Sequence, residues 1–178
     1  DNFVVCWGWN THFQNDFQEG PLTGVSAGGY HTCALEPEGT PFCWGASDGS
    51  VQDQGQVTET PQTTFVQVAA GWFHTCGLDV AGQVTCWGAD ELGQASPPDL
   101  VFAEISAGGY HNCGLTPEKE IVCWGMSGSS LYDFGQVSDA PQGTFEQVSA
   151  GGLHSCARDA EGFLHCWGWD SQGQSSPP

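Results

Sequence analysis

The chain repeats itself. Ala-Gly-x-x-His-x-Cys followed by Cys-Trp-Gly occurs at Ala27 to Gly45, Ala70 to Gly88, Ala107 to Gly125 and Ala150 to Gly168, and a further Cys-Trp-Gly stands alone at Cys6 to Gly8. Self-similarity at this period marks an array in which each unit is one supersecondary element that cannot bury its apolar face without neighbours. Function is therefore expected on the surface of the array, in whatever differs between copies.

Within a copy, His31, Cys33 and Leu35 alternate with Tyr30, Thr32 and Ala34, the period of a strand. Glu36-Pro37-Glu38-Gly39 then supplies turn chemistry, and Phe42, Cys43 and Trp44 begin the return strand. The glycine recurs as Gly82 and Gly162, whereas the third copy reads Pro117-Glu118-Lys119. The cysteine pairs Cys33 and Cys43, Cys76 and Cys86, Cys113 and Cys123, and Cys156 and Cys166 are each centred on this turn, which sets them opposite one another within disulfide reach. Four hairpin disulfides are expected. Zinc is the competing use of repeated cysteines, but it favours closely spaced pairs and a four-ligand set. The repeated His31, His74, His111 and His154 could ring an axis and hold a metal, yet a histidine present in every module reads first as a structural hydrogen-bonding residue.

No segment keeps a helical period, so the class is all-β. Between hairpins come Gly55-Gln56, Gly93-Gln94, Gly135-Gln136 and Gly173-Gln174, then proline-containing loops, then apolar strands ending at Val25, Val68, Ile105 and Val148. Gly and Pro here punctuate the chain.

Two Lys or Arg against 21 Asp or Glu give a formal net charge of -19. Phosphate-backbone binding needs clustered cations, so nucleic acid is excluded as a partner, and so are anionic membranes. Nine cysteines at regular spacing point to an oxidising compartment, extracellular or at a cell surface. The sequence opens without a basic and apolar leader and has no Asn-x-Ser/Thr sequon, as expected of a mature or excised piece without N-linked glycan.

Val-Ser-Ala-Gly-x-x-His-x-Cys, a turn, Cys-Trp-Gly and Gly-Gln together resemble the repeat of the regulator of chromosome condensation family, over nearly the whole chain. In repeat length they are closest to secreted propellers of the β-lactamase inhibitor protein II type, with added cysteine pairs; cysteine-bearing crinkly-type receptor ectodomains are a second likeness. The resemblance implies a β-propeller-like array of four full repeats plus one N-terminal strand, Phe3 to Trp7, either open or completed by another chain. Successive Cys-Trp-Gly cysteines, at 6, 43, 86, 123 and 166, lie 37, 43, 37 and 43 residues apart. The alternation marks a duplicated two-repeat unit, so the single array 1–178 divides into a partial repeat 1–26 and two-blade units 27–106 and 107–178.

Gly45-Ala46-Ser47-Asp48-Gly49 fits a nucleophile pattern, but its flanks carry no strand-to-helix elbow, and an enzyme is not expected. No cofactor is expected either; Asp48, Asp53, Asp90, Glu91, Asp133 and Asp170 leave loop calcium open without the spacing of a calcium loop. Aromatic residues that vary between copies, Trp9, Trp72, Tyr132, Phe134 and Trp169, are the candidate binding residues. Three readings follow: a non-enzymatic extracellular module that binds protein partners or copies of itself, an inhibitor of a secreted enzyme by the likeness named above, and a carbohydrate-binding propeller. Cys6, whose pairing partner would fall before residue 1, suits an intermolecular bond or a strand outside the chain.

Overall fold

The computed structural model describes residues 3–16, 18–128 and 131–177, and among these every regular element is a strand. A two-stranded ribbon, β1 (Phe3–Val4) with β2 (Gln18–Glu19), precedes four three-stranded antiparallel sheets. Sheet I is β3 (Thr23–Ala27), β4 (His31–Leu35) and β5 (Pro41–Gly45), and sheet II is β6 (Gln67–Ala70), β7 (His74–Leu78) and β8 (Val84–Gly88). Sheet III is β9 (Glu104–Ala107), β10 (His111–Leu115) and β11 (Ile121–Gly125), and sheet IV is β12 (Gln147–Ala150), β13 (His154–Arg158) and β14 (Leu164–Gly168). The histidine strand is central in every sheet. The all-β, propeller-type reading holds, and no sheet closes on itself among the described residues.

Each hairpin register puts its cysteines face to face, Cys33 with Cys43, Cys76 with Cys86, Cys113 with Cys123 and Cys156 with Cys166. Their Cα atoms stand 4.0 to 4.1 Å apart and the sulfurs are bonded, while Cys6 is a free thiol. The hairpin turns need one residue with positive φ: Gly39 at 90°, Gly82 at 82° and Gly162 at 92°. In the third copy Lys119 adopts it at 67°, a conformation that an L side chain resists.

The alternation expected of β4 does not appear as alternating burial: all of His31–Leu35, His74–Leu78 and His111–Leu115 is buried. The reason is lamination. One side of each of these three central strands packs on the layer before it, which for sheet I is the ribbon, and the other on the following sheet. Cys33 and Leu35 of sheet I meet Phe65, Val68 and Trp87 of the second repeat; Cys76 and Leu78 meet Phe102, Ile105 and Trp124; Cys113 and Leu115 meet Phe145, Val148 and Trp167. The second, third and fourth repeats thus each lend the tryptophan of Cys-Trp-Gly to the predecessor's disulfide.

Polar groups lock the same joints. His31 Nε2 lies 2.6 Å from Thr75 Oγ1, His74 Nε2 2.9 Å from Asn112 Oδ1 and His111 Nε2 2.8 Å from Ser155 Oγ. Asn112 Nδ2 donates to the Gln94 carbonyl at 2.8 Å, so its Oδ1 accepts and His74 carries its proton on Nε2. The Nδ1 atoms of all three histidines are buried without a partner, close against Gly28, Gly71 and Gly108. A Cβ at Gly28 would also collide with the Gly71 carbonyl oxygen, which explains the glycine before each histidine.

The N-terminal segment departs from expectation. The strand foreseen over Phe3 to Trp7 is only Phe3–Val4, and it pairs inside the chain, with Gln18–Glu19. Val4 and Cys6 cover Ala34 and Trp44 of sheet I, but the ribbon supplies only one strand's worth of the preceding layer. Val25 is accordingly 48% exposed, against 2 to 5% for Val68, Ile105 and Val148.

Candidate binding face

The turns from inner to central strand and the loops that follow Cys-Trp-Gly are tied to one end of the sheets. Ala46, Ala89, Met126 and Trp169 donate backbone N–H bonds to the carbonyls of Tyr30, Phe73, Tyr110 and Leu153 at 2.9 Å. The hairpin turns lie at the opposite end of the strands. Along the axis the turns stack by Gly29 N–H to the Gly71 carbonyl at 3.0 Å and Gly109 N–H to the Gly152 carbonyl at 2.9 Å.

Stacking brings the residue before each histidine into a row. Tyr30 stacks on Phe73 with ring centroids 5.0 Å apart, Phe73 is 6.1 Å from Tyr110, and Tyr110 stacks on Tyr132 at 5.7 Å. Trp9 extends the row by an edge contact to Tyr30 at 5.5 Å, with His12 beside both. Trp72 sits edge-on to Tyr110 at 5.0 Å and runs along Gly109 and Gly152. Burial, then the neighbouring phenols of Tyr132 and Tyr30, raise the Tyr110 pKa, so this central phenol stays protonated at physiological pH.

The row borders two recesses. One of about 220 Å³ is walled by Phe73, Tyr110, Val51 and Leu92, with Gln54 and Glu91 at its edge. A second of about 310 Å³ lies between Trp72, Leu153 and Trp169, with His154, Gln172 and Gln174 around it. Of the aromatics singled out from sequence, Trp9, Tyr132 and Phe134 are exposed and Trp72 and Trp169 half-buried; Phe134 packs on Trp169 at 5.9 Å. The structure brings Trp9, Trp72 and Tyr132 into one row and adds Tyr30, Phe73 and Tyr110. Their signal was present in the sequence as the aromatic that precedes three of the four histidines.

Rigid loops carry this face. Gln56, Gln94 and Gln136 of the Gly-Gln pairs are buried and hold the loop backbone: Gln56 Oε1 accepts from Gln54 N–H at 2.7 Å and Gln136 Oε1 from Phe134 N–H at 2.7 Å, while their Nε2 groups donate to the Gln52 and Tyr132 carbonyls. Gly55, Gly93, Gly135 and Gly173 provide positive φ before the glutamine, and in the partial N-terminal repeat Phe13, before Gln14, takes that conformation at 62°.

The loop carboxylates have loop-closing partners. Asp53 accepts from Gly49 N–H at 2.9 Å, Asp90 from Ala95 N–H at 2.8 Å, Asp133 from Gly135 N–H at 3.0 Å and Asp170 from Ser175 N–H at 2.7 Å. Such bonds hold the Asp48 and Asp170 carboxyls below the usual range, through Ser50 and Ser176 first. Among the described residues no three His, Cys, Asp or Glu side chains converge as a metal site. Ser47 leaves β5 into an exposed loop rather than a helix.

Both sides of the laminate present uncovered joints. Trp7, the counterpart of four tryptophans that are 6 to 7% exposed, is 88% exposed. On sheet IV the central strand His154–Arg158 is only partly buried, and a recess of about 130 Å³ opens beside Ser149, Cys156, Arg158 and Leu164.

Residues 65–94, 102–136 and 145–174 match the profile of the regulator of chromosome condensation (RCC1) repeat. No curated protein matches the chain. Among solved structures it is similar to the CRINKLY WD40 ectodomain of the Arabidopsis thaliana receptor kinase ACR4, with a TM-score of 0.76 and 27% identity over 93% of this chain and 57% of that one. The entire ectodomain of the Physcomitrella patens receptor kinase CR4 gives 0.75 and 26% over 98% and 48%. Prp20p of Saccharomyces cerevisiae, described for its binding to Gsp1p and histones, gives 0.65 and 23% over 86% and 45%, a likeness of fold. The chain spans about half the length of these structures.

Proposed function

The chain belongs to the regulator of chromosome condensation (RCC1) repeat family, and from that premise we infer that it is an extracellular, non-enzymatic binding and assembly module whose partners are proteins. Propeller repeats of this family fit a binding or structural module, and the receptor ectodomains it is similar to support placement outside the cell, as do four hairpin disulfides. The function rests on recognition surfaces; its loop carboxylates and Ser47 serve loop structure.

The observation that carries the assembly half is the pair of uncovered joints. Trp7 and Val25 on one side, and Cys156 with its recess on the other, are the halves of an interface that the chain completes three times internally. Strands outside residues 1–178, from a neighbouring subunit or from another part of the same polypeptide, cover them. Cys6 lies beside the N-terminal joint and bonds to a cysteine on the covering strand.

The native mass of the complete particle, with disulfide mapping under non-reducing conditions, tests this. A closed oligomer or a longer polypeptide, with Trp7 shielded from quenching by acrylamide and Cys6 in a disulfide, is the expected result. A stable 178-residue monomer with a free, alkylatable Cys6 thiol overturns it.

A further inference from the structure

The two cations of the chain, Lys119 and Arg158, both stand at the hairpin-turn end of their sheets. Lys119 is in the turn after β10 and is paired with Glu146 at 2.6 Å; Arg158 is the last residue of β13. The aromatic row lies at the other end, among loops that carry Asp48, Asp53, Asp90, Glu91, Asp133 and Asp170 and no fixed positive charge. An apolar recess with aromatic rings on its walls and the Glu91 carboxylate at its edge has a specific complement: a cation on an apolar stem.

We propose that the recess walled by Phe73 and Tyr110 is a docking site for an extended, Lys- or Arg-bearing segment of a protein partner. The arginine or lysine stem lies along Val51, Leu92 and the rings of Phe73 and Tyr110, and its charged head pairs with Glu91 at the edge. Electrostatic complementarity selects this occupant. A net charge of -19 repels acidic partners and attracts basic ones, and no Lys or Arg competes for Glu91 on the loop face. The loops are held by Gln56 and Gln94, so the recess is present before the segment arrives. Its walls come from the second and third repeats and the loops that flank the second, well inside the array, so the site does not depend on what covers the outer joints.

This inference deepens the protein-binding reading given above but uses a different surface from the assembly joints, so the mass measurement and the following titration fail independently. The probe is a capped peptide of four Gly-Arg repeats, titrated against the intact, oxidised protein and read by tryptophan fluorescence and calorimetry at two salt concentrations. A one-to-one complex is expected. Glu91→Gln combined with Phe73→Leu weakens it at least tenfold, while Glu36→Gln combined with Glu38→Gln, an equal or larger charge change at the hairpin end, changes it less than twofold. Retained circular dichroism and unfolding midpoint establish that the Phe73→Leu variant is folded; should they not be retained, Glu91→Gln alone carries the comparison, with a loss of at least threefold expected. Equal losses in both pairs of variants mean diffuse charge attraction only and overturn the proposal, as does absence of peptide binding or binding of a neutral oligosaccharide in its place.

Discussion

Three buried histidines make the laminate sensitive to mild acid, and the size of the effect follows from their surroundings. Burial, with His74 adding a smaller repulsion, depresses His31 from 6.5 to about 3. Burial depresses His74 to about 4 against the opposing pull of its Asn112 bond, and burial depresses His111 to about 4, with His74 and His154 contributing. The unfolded chain takes up these protons near pH 6.5, whereas the folded chain does not until its own lower values are reached. Stability is therefore full above pH 6.5 and is lost as pH falls towards 4. Each histidine contributes a slope of about 1.4 kcal/mol per pH unit inside that window, and the three together about 4 kcal/mol per unit. Two such units remove about 8 kcal/mol, comparable with the roughly 5 to 15 kcal/mol that holds a domain folded. Relief of carboxylate repulsion and the raised pKa of half-buried Glu104, caused by burial, act in the opposite sense, so the absolute slope is not the test. The difference between proteins is. Urea unfolding followed by tryptophan fluorescence, at pH 7, 6, 5.5 and 5, is compared for the native chain and for His74→Gln and His111→Gln, whose amides keep a donor and cannot titrate. Each variant starts less stable but loses stability with pH more slowly, by about 1.4 kcal/mol per unit between pH 6 and 5. Parallel slopes would refute the claim that these rings are held neutral by burial.

Three further outcomes are expected. Asn112→Ala leaves the His74 Nε2–H and the Gln94 carbonyl unpaired and costs about 2 to 4 kcal/mol in urea unfolding, whereas Asn112→Thr, with a hydroxyl like that of Thr75, costs less than half as much. Phe13→Gly and Lys119→Gly each raise stability by about 0.5 to 1 kcal/mol, because both side chains occupy positive-φ positions that other repeats fill with glycine; a loss of stability in either would contradict the strain argument. Under mild reductant, Cys156–Cys166 is alkylated first, since Cys33, Cys76 and Cys113 are fully buried and Cys156 is not, and each broken staple removes about 2 to 3 kcal/mol on the loop-entropy scale.

The repeat, the hairpins and their register were legible because they are encoded locally: a ten-residue cysteine spacing with a turn at its centre admits one antiparallel alignment. What depends on neighbouring sheets was less so. The burial of Thr32, Thr75, Asn112 and Ser155, placed by strand alternation on a second face, makes sense only once each sheet is laminated between two others. The Gly-Gln pairs read as punctuation, but the glutamine is a buried clamp on its own loop, a role that spacing alone does not reveal. The aromatic row had a visible signal in Tyr30, Phe73 and Tyr110, yet those residues are 37 to 43 apart in sequence, and only the stacked glycine turns bring them within 5.0 to 6.1 Å. The N-terminal ribbon was the clearest divergence. A two-residue pairing between Phe3–Val4 and Gln18–Glu19 depends on how the intervening loop closes, and no pattern in either segment announces it.

The alternation of 37 and 43 residues has a physical counterpart in two kinds of joint. Between sheets I and II, and between III and IV, Ser26 and Ser106 accept from the Ala70 and Ala150 N–H groups at 2.9 Å, histidine meets a hydroxyl, and the indoles of Trp87 and Trp167 donate to the carbonyls of Gln56 and Gln136. Between II and III, Gln67 bridges the Ile105 backbone, His74 meets Asn112, and the Gln94 carbonyl takes its bond from Asn112. The ribbon joins sheet I in this second way, since the Gln14 carbonyl accepts from Thr32 Oγ1 at 2.7 Å. Trp9 and Trp169 follow Cys-Trp-Gly at equivalent places, so the ribbon corresponds to the outer part of a sheet of the II or IV kind. A sheet laid on sheet IV by the same rule belongs to the I or III kind and meets His154 with an Asn or Thr. Regular alternation closes without a mismatch only when the number of sheets is even, so a ring with an odd number contains one joint of mixed chemistry.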